Sequence, residues 1–423
     1  MKEQNPNSLP RFVLAIPELL DHIVDYLADS PEDLLACALV SKSWVPRAQF
    51  HLFRKVELLP PSKWNDTQVH VRLLEILRAS RQLRSLVRYL SFSLSIRLLD
   101  CLDSIPLPNL EEISVECTDD QYIWCMDIKT SLRVRDIFMS IPTLSRVNFS
   151  GQFQSISIFH HYFENCAANI QSLELVDVYL VDEGHEIPPD PPPSFIPSRM
   201  QLSRLSLPND SPWIDAWILG PHCPFGFSQL KSLQLQDLQW EPFQRILTPS
   251  FPSLEDLKLN DFSGDVDLDF GMLTALKRLD VDTYEGHIPK LLTALSSLPL
   301  HNSLQTLSLR FYCATAEHQD IYNTFDTDIT NLVIVHSLRR VEIHLSARQL
   351  MNTRPVVDMP TFQSYFPSLT SKGWLFIYRK SFPVCAPLLI HRFSAPPVYN
   401  QITNDSDEEE YTRCGPSISI QPE

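Results

Sequence analysis

The sequence predicts an α/β fold in which a short helical unit precedes a long parallel sheet. Two observations lead to this prediction. Residues 16–56 contain three short stretches with the apolar spacing of helices. Between residues 110 and 343, one pattern of three apolar residues (apolar-x-x-apolar-x-apolar) occurs nine times. A pattern that recurs every few tens of residues indicates stacked copies of one structural unit.

The first helix is predicted to begin at Pro17. Proline suits the first turn of a helix, where its missing N–H has no partner to lose, and Glu18 suits the positive end of the helix dipole. The apolar residues that follow have the spacing of one helix face: Leu19, Leu20, Ile23, Val24 and Leu27.

Two more helices are predicted before residue 57. Ser30 is a candidate cap for the second, with Pro31 at its first position and Asp33 closing an approximate capping box. The apolar face of this helix is formed by Leu34, Leu35, Ala38 and Leu39. The third helix is predicted from four apolar residues at four-residue spacing: Val40, Trp44, Ala48 and Leu52.

Taken together, residues 16–56 resemble the F-box. The shared features are the opening Ile16-Pro17-Glu18-Leu19, an apolar helix that ends at Leu27, an acidic Ser-Pro turn, and the run ACALVSKSW at 36–44, which looks like fungal members of the family. Ile16 stands where the family usually has Leu, a substitution that conserves side-chain volume.

The recurring pattern resembles the leucine-rich repeat, in which L-x-x-L-x-L marks a short strand and the chain returns as helix or loop. Its nine copies begin at Leu110, Leu144, Ile170, Leu202, Leu230, Leu254, Leu276, Leu304 and Leu338, and degenerate copies begin at Val87 and Lys372. The resemblance implies an irregular solenoid with a curved parallel sheet and with helices and loops on the convex side.

The repeats depart from the family at one position. Three residues beyond the last apolar strand residue, shorter repeats carry Asn or Cys, whereas this chain has Val178, Leu238 and Phe262. An apolar residue there cannot hydrogen-bond the neighbouring loops. We therefore expect packing to hold the stacked repeats together.

The sequence predicts five segments. They are a disordered N-terminus (1–10), the F-box (11–56), the leucine-rich-repeat-like solenoid (57–395), a proline-rich loop inserted in it (184–198), and a disordered acidic tail (396–423). The tail includes Ser406, which is followed by four acidic residues and is typical of sites for acid-directed kinases; a plain solubilising tail is the alternative.

Composition excludes several function classes. The net charge of −16 disfavours nucleic acid and anionic membranes as partners. Nine scattered cysteines form no C-x-x-C pair, and nine glycines leave little material for a phosphate-binding loop. No catalytic motif is present, so we expect neither enzymatic activity nor a cofactor or metal. Without an apolar N-terminal segment or membrane span, we expect a cytoplasmic or nuclear protein.

The F-box resemblance implies a substrate adaptor of a cullin–RING ubiquitin ligase of the Skp–cullin–F-box type. The F-box would dock on the Skp-type linker, and the repeats would hold a protein substrate. The residues implied to form or support the linker-binding surface are Ile16, Pro17, Glu18, Leu20, Ile23, Leu27, Leu35, Val40 and Trp44. The motif does not say which of them contact the linker and which pack internally.

Strand alternation predicts the substrate-binding face. If Leu257 and Leu259 point into the core, their neighbours point to the concave face. The candidate substrate-binding residues are Asp256, Lys258, Arg278, Asp280, Ser308, Arg310, Arg340 and Glu342. The three arginines could bind an acidic or phosphorylated substrate segment. Alternatively, they pair with the neighbouring carboxylates.

Three function classes therefore remain. The first is the ubiquitin-ligase adaptor, which engages linker and cullin together. The second is an F-box scaffold that binds the linker without cullin. The third is an enzyme with an unrecognised site, which a deep pocket lined by titratable groups with strongly shifted pKa values would favour.

Overall fold

Twelve parallel strands form one sheet, and helices cover its apolar face. The structure, a computed structural model, describes residues 17–380 with gaps at 59–66, 118–127, 154–158, 160, 164–165, 167–168, 181–199, 208–216, 219, 221–222, 237–247, 263–267, 312–317, 333–336 and 347–358. Ile16 and the predicted segments 1–10, 184–198 and 396–423 lie outside the described residues.

The sheet follows the chain from one end to the other, each strand pairing in parallel with the next strand of the sheet. Its strands are β1 (Lys55–Leu58), β2 (Tyr89–Ser93), β3 (Glu112–Cys117), β4 (Arg146–Phe153), β5 (Ser172–Leu180), β7 (Arg204–Leu207), β9 (Ser232–Gln236), β10 (Asp256–Phe262), β11 (Arg278–Thr283), β12 (Thr306–Phe311), β13 (Arg340–Ser346) and β14 (Leu375–Lys380). Two short strands, β6 (Met200–Gln201) and β8 (Phe225–Gly226), form a separate parallel pair.

The α-helices precede the sheet or connect its strands. They are α1 (Pro17–Tyr26), α2 (Pro31–Val40), α3 (Val45–Arg54), α4 (Thr67–Ala79), α5 (Arg81–Leu86), α6 (Ile96–Asp103), α7 (Ile128–Val134), α8 (Ile288–Ser296), α9 (Gln319–Asn331), α10 (Met359–Gln363) and α11 (Pro367–Ser371). No helix in the described part of the chain is both long and apolar enough to cross a membrane.

The predicted mixed α/β class with a large parallel sheet is confirmed. Eleven of the twelve strands coincide with the nine copies of the pattern and its two degenerate copies. Leu233 and Leu257, from successive copies, lie directly opposite each other on neighbouring strands. Sequence periodicity therefore located these strands and their register.

Side-chain alternation along the strands divides the sheet into an apolar and a polar face. On β10, Leu257 and Leu259 are buried while Asp256 is exposed. Leu90 and Phe92 of β2 belong to the same core cluster as Leu99 of α6. Apolar strand residues alternate with polar ones, so the residues of this cluster lie on one face of the sheet. The helices that contribute to the same cluster therefore cover that face.

The apolar residues that replace the usual Asn or Cys are buried where the structure describes them. Val178 and Phe262 have 0% and 1% of their surface exposed, as the packing prediction requires. Each follows an aspartate in the left-handed region, Asp177 at φ 47° and Asp261 at φ 54°. Aspartate tolerates this conformation better than most residues. Leu238 lies outside the described residues.

Three details of the sequence prediction are wrong. The first strand, β1, was not predicted, although Lys55–Leu58 alternates between exposed and buried residues. The apolar residues between Val69 and Leu86 predict one helix there. The structure has two helices, because the chain breaks at Ser80, whose hydroxyl accepts a hydrogen bond from the Leu83 N–H. Val40 ends α2 instead of starting the third helix. The four-residue spacing continues across the turn at 41–44 and conceals this break.

Candidate protein-interaction surfaces

Helices α1, α2 and α3 enclose a small core of their own. Val24, Leu34 and Ala48, one residue from each helix, are its buried centre. The half-buried residues packed around this centre are Leu27, Ala38, Trp44 and Leu52. The local chemistry of α2 follows the prediction in part: the Ser30 hydroxyl accepts from the Asp33 N–H, with Pro31 at the start of the helix. The Ser30 N–H donates to the Leu27 carbonyl.

The residues implied to serve linker binding separate into two groups. Leu20 is buried, and Leu27 and Trp44 pack against the small core, so these three hold the helices together. The second group is exposed: Pro17, Glu18, Ile23, Leu35 and Val40. Only the exposed group can contact a partner without rearrangement of the helices.

Large apolar side chains are concentrated on the outer surface of α1 and α2. Six of the fifteen large apolar residues exposed in the described part of the chain lie on these two helices. They are Leu19, Ile23, Tyr26, Leu35, Leu39 and Val40, called here the apolar helix surface. Leu35, Leu39 and Val40 have 55%, 88% and 70% of their surface exposed.

Helix α2 carries apolar residues around most of its circumference. Every residue from Leu34 to Val40 is apolar, yet only Leu34 and Cys37 are buried. A helix that is apolar on all sides normally has its whole surface covered. The outer side of α2 therefore has the composition of an interface.

A charged cluster joins α1 to α3. Arg47 donates two hydrogen bonds to the Asp25 carboxylate, Nη2 lying 2.7 Å from Oδ2, and His51 Nε2 lies 2.7 Å from Oδ1. The hydrogen bonds from Arg47 and His51 hold the pKa of Asp25 well below its usual range. This cluster orients α1, which carries half of the apolar helix surface. Arg47 and His51, which contact this carboxylate, are 22 and 26 residues from Asp25 in the sequence, and no local sequence pattern indicates these contacts.

The predicted substrate-binding residues do lie together on the polar face of the sheet. Asp256 is opposite Arg278, which is followed along the same row by Thr306 and Arg340 on the next strands. A second row contains Lys258, Asp280, Ser308 and Glu342. Arg310 lies in a third row, between Asp282 and His344.

Arg278, Arg310 and Arg340 are each paired with a carboxylate of this face. Of the two alternatives for these arginines, binding an acidic segment or pairing with neighbouring carboxylates, the structure has the second. Arg278 Nε donates to Asp280 at 3.2 Å, and Arg310 Nη1 donates to Asp282. Arg340 Nε lies 2.6 Å from Glu342 Oε1 without hydrogen-bond alignment, so this contact is an ion pair by distance alone. Arginine and carboxylate charges therefore balance locally.

At two carboxylates of the polar face, Asp256 and Asp282, burial affects the pKa more than the neighbouring arginines do. Burial raises the pKa of Asp282 although the Arg310 guanidinium opposes this change. Burial likewise raises the pKa of Asp256. Asp280, in turn, raises the pKa of Arg278. The carboxylates thus occupy a partly desolvated surface, where they serve as partners for the arginines.

Aromatic side chains extend the polar face onto β14. Phe376 and Tyr378 have 40% and 39% of their surface exposed. The Arg340 guanidinium lies 4.3 Å from the Phe376 ring centroid, and the His344 ring stacks on Tyr378 at 4.8 Å between centroids. Exposed aromatic residues beside arginine are typical of protein-binding surfaces.

A groove of about 550 Å³ lies between α8 and α9. Its lining includes aliphatic residues such as Leu292 and Ile321 and the exposed carboxylates Asp320 and Asp328. The carboxyl groups with shifted pKa values in the described residues lie elsewhere, at Asp25, Glu255, Asp256, Asp282 and Glu285. The groove and the perturbed groups do not coincide. The described residues also contain no group of three or more side chains suited to hold a metal ion.

The chain was compared with models of known protein families and with curated proteins. It matches no model of a known protein family, and a search of curated proteins finds no match. The geometry of the two surfaces therefore carries the functional argument.

Proposed function

We propose that the chain is a substrate-recognition adaptor of a cullin–RING ubiquitin ligase. Residues 11–56 act as an F-box that docks on a Skp-type linker, and the sheet that follows, a leucine-rich-repeat solenoid, binds a protein substrate. The protein carries out no bond chemistry. It raises the local concentration of substrate lysines near the ubiquitin-conjugating enzyme.

One observation supports this proposal most strongly: the apolar helix surface on α1 and α2. Its exposed apolar residues coincide with the part of the chain that resembles the F-box by motif. Exposed apolar side chains concentrated in this way are typical of interaction sites. Among the nine residues implied by the motif, Pro17, Glu18, Ile23, Leu35 and Val40 contact the linker, while Leu20, Leu27 and Trp44 maintain the helix arrangement.

We assign substrate binding to the polar face because of the charged and aromatic side chains that this face presents. Lys258 and the three arginine–carboxylate pairs present mixed charge, and Phe376 and Tyr378 add exposed aromatic area. Mixed charge beside aromatic residues suits a protein partner better than a nucleic-acid backbone.

Single aspartate substitutions test the docking surface. Leu35→Asp and Val40→Asp each place a charge on an exposed position, so the fold remains intact while the apolar contact is lost. We expect linker affinity to fall by about 2 kcal/mol, roughly thirtyfold, for each variant. Equilibrium binding to a purified Skp-type linker measures this change.

Met272→Asp is the matched control, because Met272 is 63% exposed and lies far along the chain. We expect this variant to bind the linker with wild-type affinity. Wild-type affinity in both Leu35→Asp and Val40→Asp would reject the F-box assignment.

The alternative is a scaffold that binds the linker without cullin. Size-exclusion chromatography of the chain mixed with linker, and then with linker and the linker-binding domain of a cullin, separates the two functions. The adaptor enters the complex of all three proteins. A scaffold forms only the binary complex.

A further inference from the structure

A second surface, on the helix side of the sheet, has a charge opposite to that of the chain. Residues 67–88, which include α4 and α5, contain five arginines and one acidic residue, Glu75. The whole chain carries a net charge of −16. This local excess of arginine has no role in docking through α1 and α2.

Two of the five arginines are occupied. Arg78 donates to the Ser104 hydroxyl, with Nη2 at 2.7 Å, and Arg88 forms an ion pair with Glu111. Arg72, Arg81 and Arg84 have no carboxylate partner among the described residues, and neither does Arg54 at the end of α3. These four residues, Arg54, Arg72, Arg81 and Arg84, are called here the basic helix surface.

The fold packs together the helices that carry these four arginines. The break at Ser80 lets α5 pack against both α4 and α3. The Arg88 N–H donates to the Arg54 carbonyl at 2.9 Å, which fixes the end of α3 beside the end of α5. Arg81 and Arg84 are three residues apart on α5 and therefore share one face, where like charges repel.

Exposed aliphatic residues accompany these arginines. Val71 and Ile76 of α4 have 51% and 42% of their surface exposed. Ile76 is four residues from Arg72 and lies on the same side of the helix. The surface thus combines positive charge with apolar area.

The arginines of the polar face have carboxylate partners and those of the basic helix surface have none in the described part of the chain, and this difference indicates where an acidic segment binds. On that face Arg278, Arg310 and Arg340 are each neutralised by a carboxylate. The four arginines of the basic helix surface, in contrast, are exposed or half-buried and lack such partners among the described residues. We propose that the basic helix surface is a docking site for an acidic segment of a partner protein, with Val71 and Ile76 contacting its apolar residues.

A protein segment fits this surface better than a nucleic acid or a lipid bilayer. Helices α4 and α5 contain no Phe, Tyr or Trp on which bases could stack. An extended polyanion would also meet the acidic remainder of the chain, whereas a short acidic segment meets only the arginines. The exposed Val71 and Ile76 provide contacts that a peptide side chain can use and a phosphate backbone cannot. This proposal is independent of what binds α1 and α2.

Charge reversal tests the proposal. The probe is a fluorescein-labelled twelve-residue peptide of repeating Leu-Glu-Glu, and binding to the full chain is followed by anisotropy. We expect the Arg72→Glu, Arg81→Glu, Arg84→Glu triple variant to bind at least about tenfold more weakly than the wild type, with affinity falling as salt rises. Glutamate is a good helix former and suits the first turn of α5, so the variant should retain its fold.

Two controls complete the experiment. The matched variant with lysine at the same three positions keeps the charge and should retain binding. The Leu-Lys-Lys peptide should not bind. Equal affinity of the wild type and the glutamate variant for the acidic peptide would overturn the proposal. So would tighter binding of a twelve-nucleotide RNA, or of phosphatidylserine vesicles, than of the peptide.

Discussion

At the residue scale, the Asp25 cluster shows how one carboxylate positions α1, which carries part of the proposed docking surface. Asp25 accepts hydrogen bonds from Arg47 and contacts His51, and through them α1 is held on α3. Because the pKa of Asp25 is lowered in the folded protein, its ionised form stabilises the fold at neutral pH. This contribution is present above the ordinary aspartate pKa of about 3.9 and is lost as the pH falls below it.

Asp25→Asn tests this contribution. We expect the variant to lose up to about 1 kcal/mol of unfolding free energy at pH 7, the size of a partly exposed ion pair. The difference from the wild type should shrink as the pH falls below about 4, because Asp25 then begins to be protonated in the unfolded chain while the folded protein still keeps it ionised. Urea unfolding at several pH values measures it, and a difference that does not change with pH would contradict this explanation.

At the element scale, Asp326 of α9 caps a helix that follows in sequence. Its carboxylate is buried and accepts hydrogen bonds from the Ser368 and Leu369 N–H groups of α11, each at 2.8 Å. We expect Asp326→Ala to cost about 2 kcal/mol or more, because two N–H groups at the start of α11 lose their acceptor. Asp328→Ala, at an exposed position of the same helix, should cost little. Equal thermal stability of the two variants would show that the cap contributes nothing.

Sequence periodicity located most of the elements, and its failures have physical reasons. The pattern around Leu257 and Leu279 marks strands because one face of each strand is apolar and the other is polar. β1 has only four residues and no copy of the pattern, so its alternation was too short to separate from the preceding helix. The break at Ser80 was missed because the apolar spacing continues through it, although Ser80 itself is a capping residue.

At the scale of the whole molecule, the sequence named the residues of both proposed interaction surfaces but not the contacts within them. The F-box motif named nine residues, and only the structure separates exposed residues such as Leu35 from internal ones such as Leu20. Likewise, strand register placed Arg278 and Arg340 on one face, while their pairing with Asp280 and Glu342 depends on side-chain conformations that a sequence does not specify. Long-range pairs such as Asp25–Arg47 have no local signal at all.

The proposed function assigns different roles to two surfaces of the chain. The apolar helix surface lies on α1 and α2, and the candidate substrate-binding residues of the polar face lie on strands from β10 onwards. If the proposed function is correct, these two surfaces act on different proteins at the same time. Each can then be disabled without loss of the other.

Amide hydrogen exchange of the full chain, with and without a purified Skp-type linker, tests the central proposal most directly. We predict that saturating linker slows exchange of the amides in 17–40 by about tenfold or more, because docking covers α1 and α2. Exchange in 256–262, 278–283 and 340–346 should not change. Unchanged exchange throughout 17–40, or protection confined to the strand face, would contradict the proposal that these helices are the docking unit.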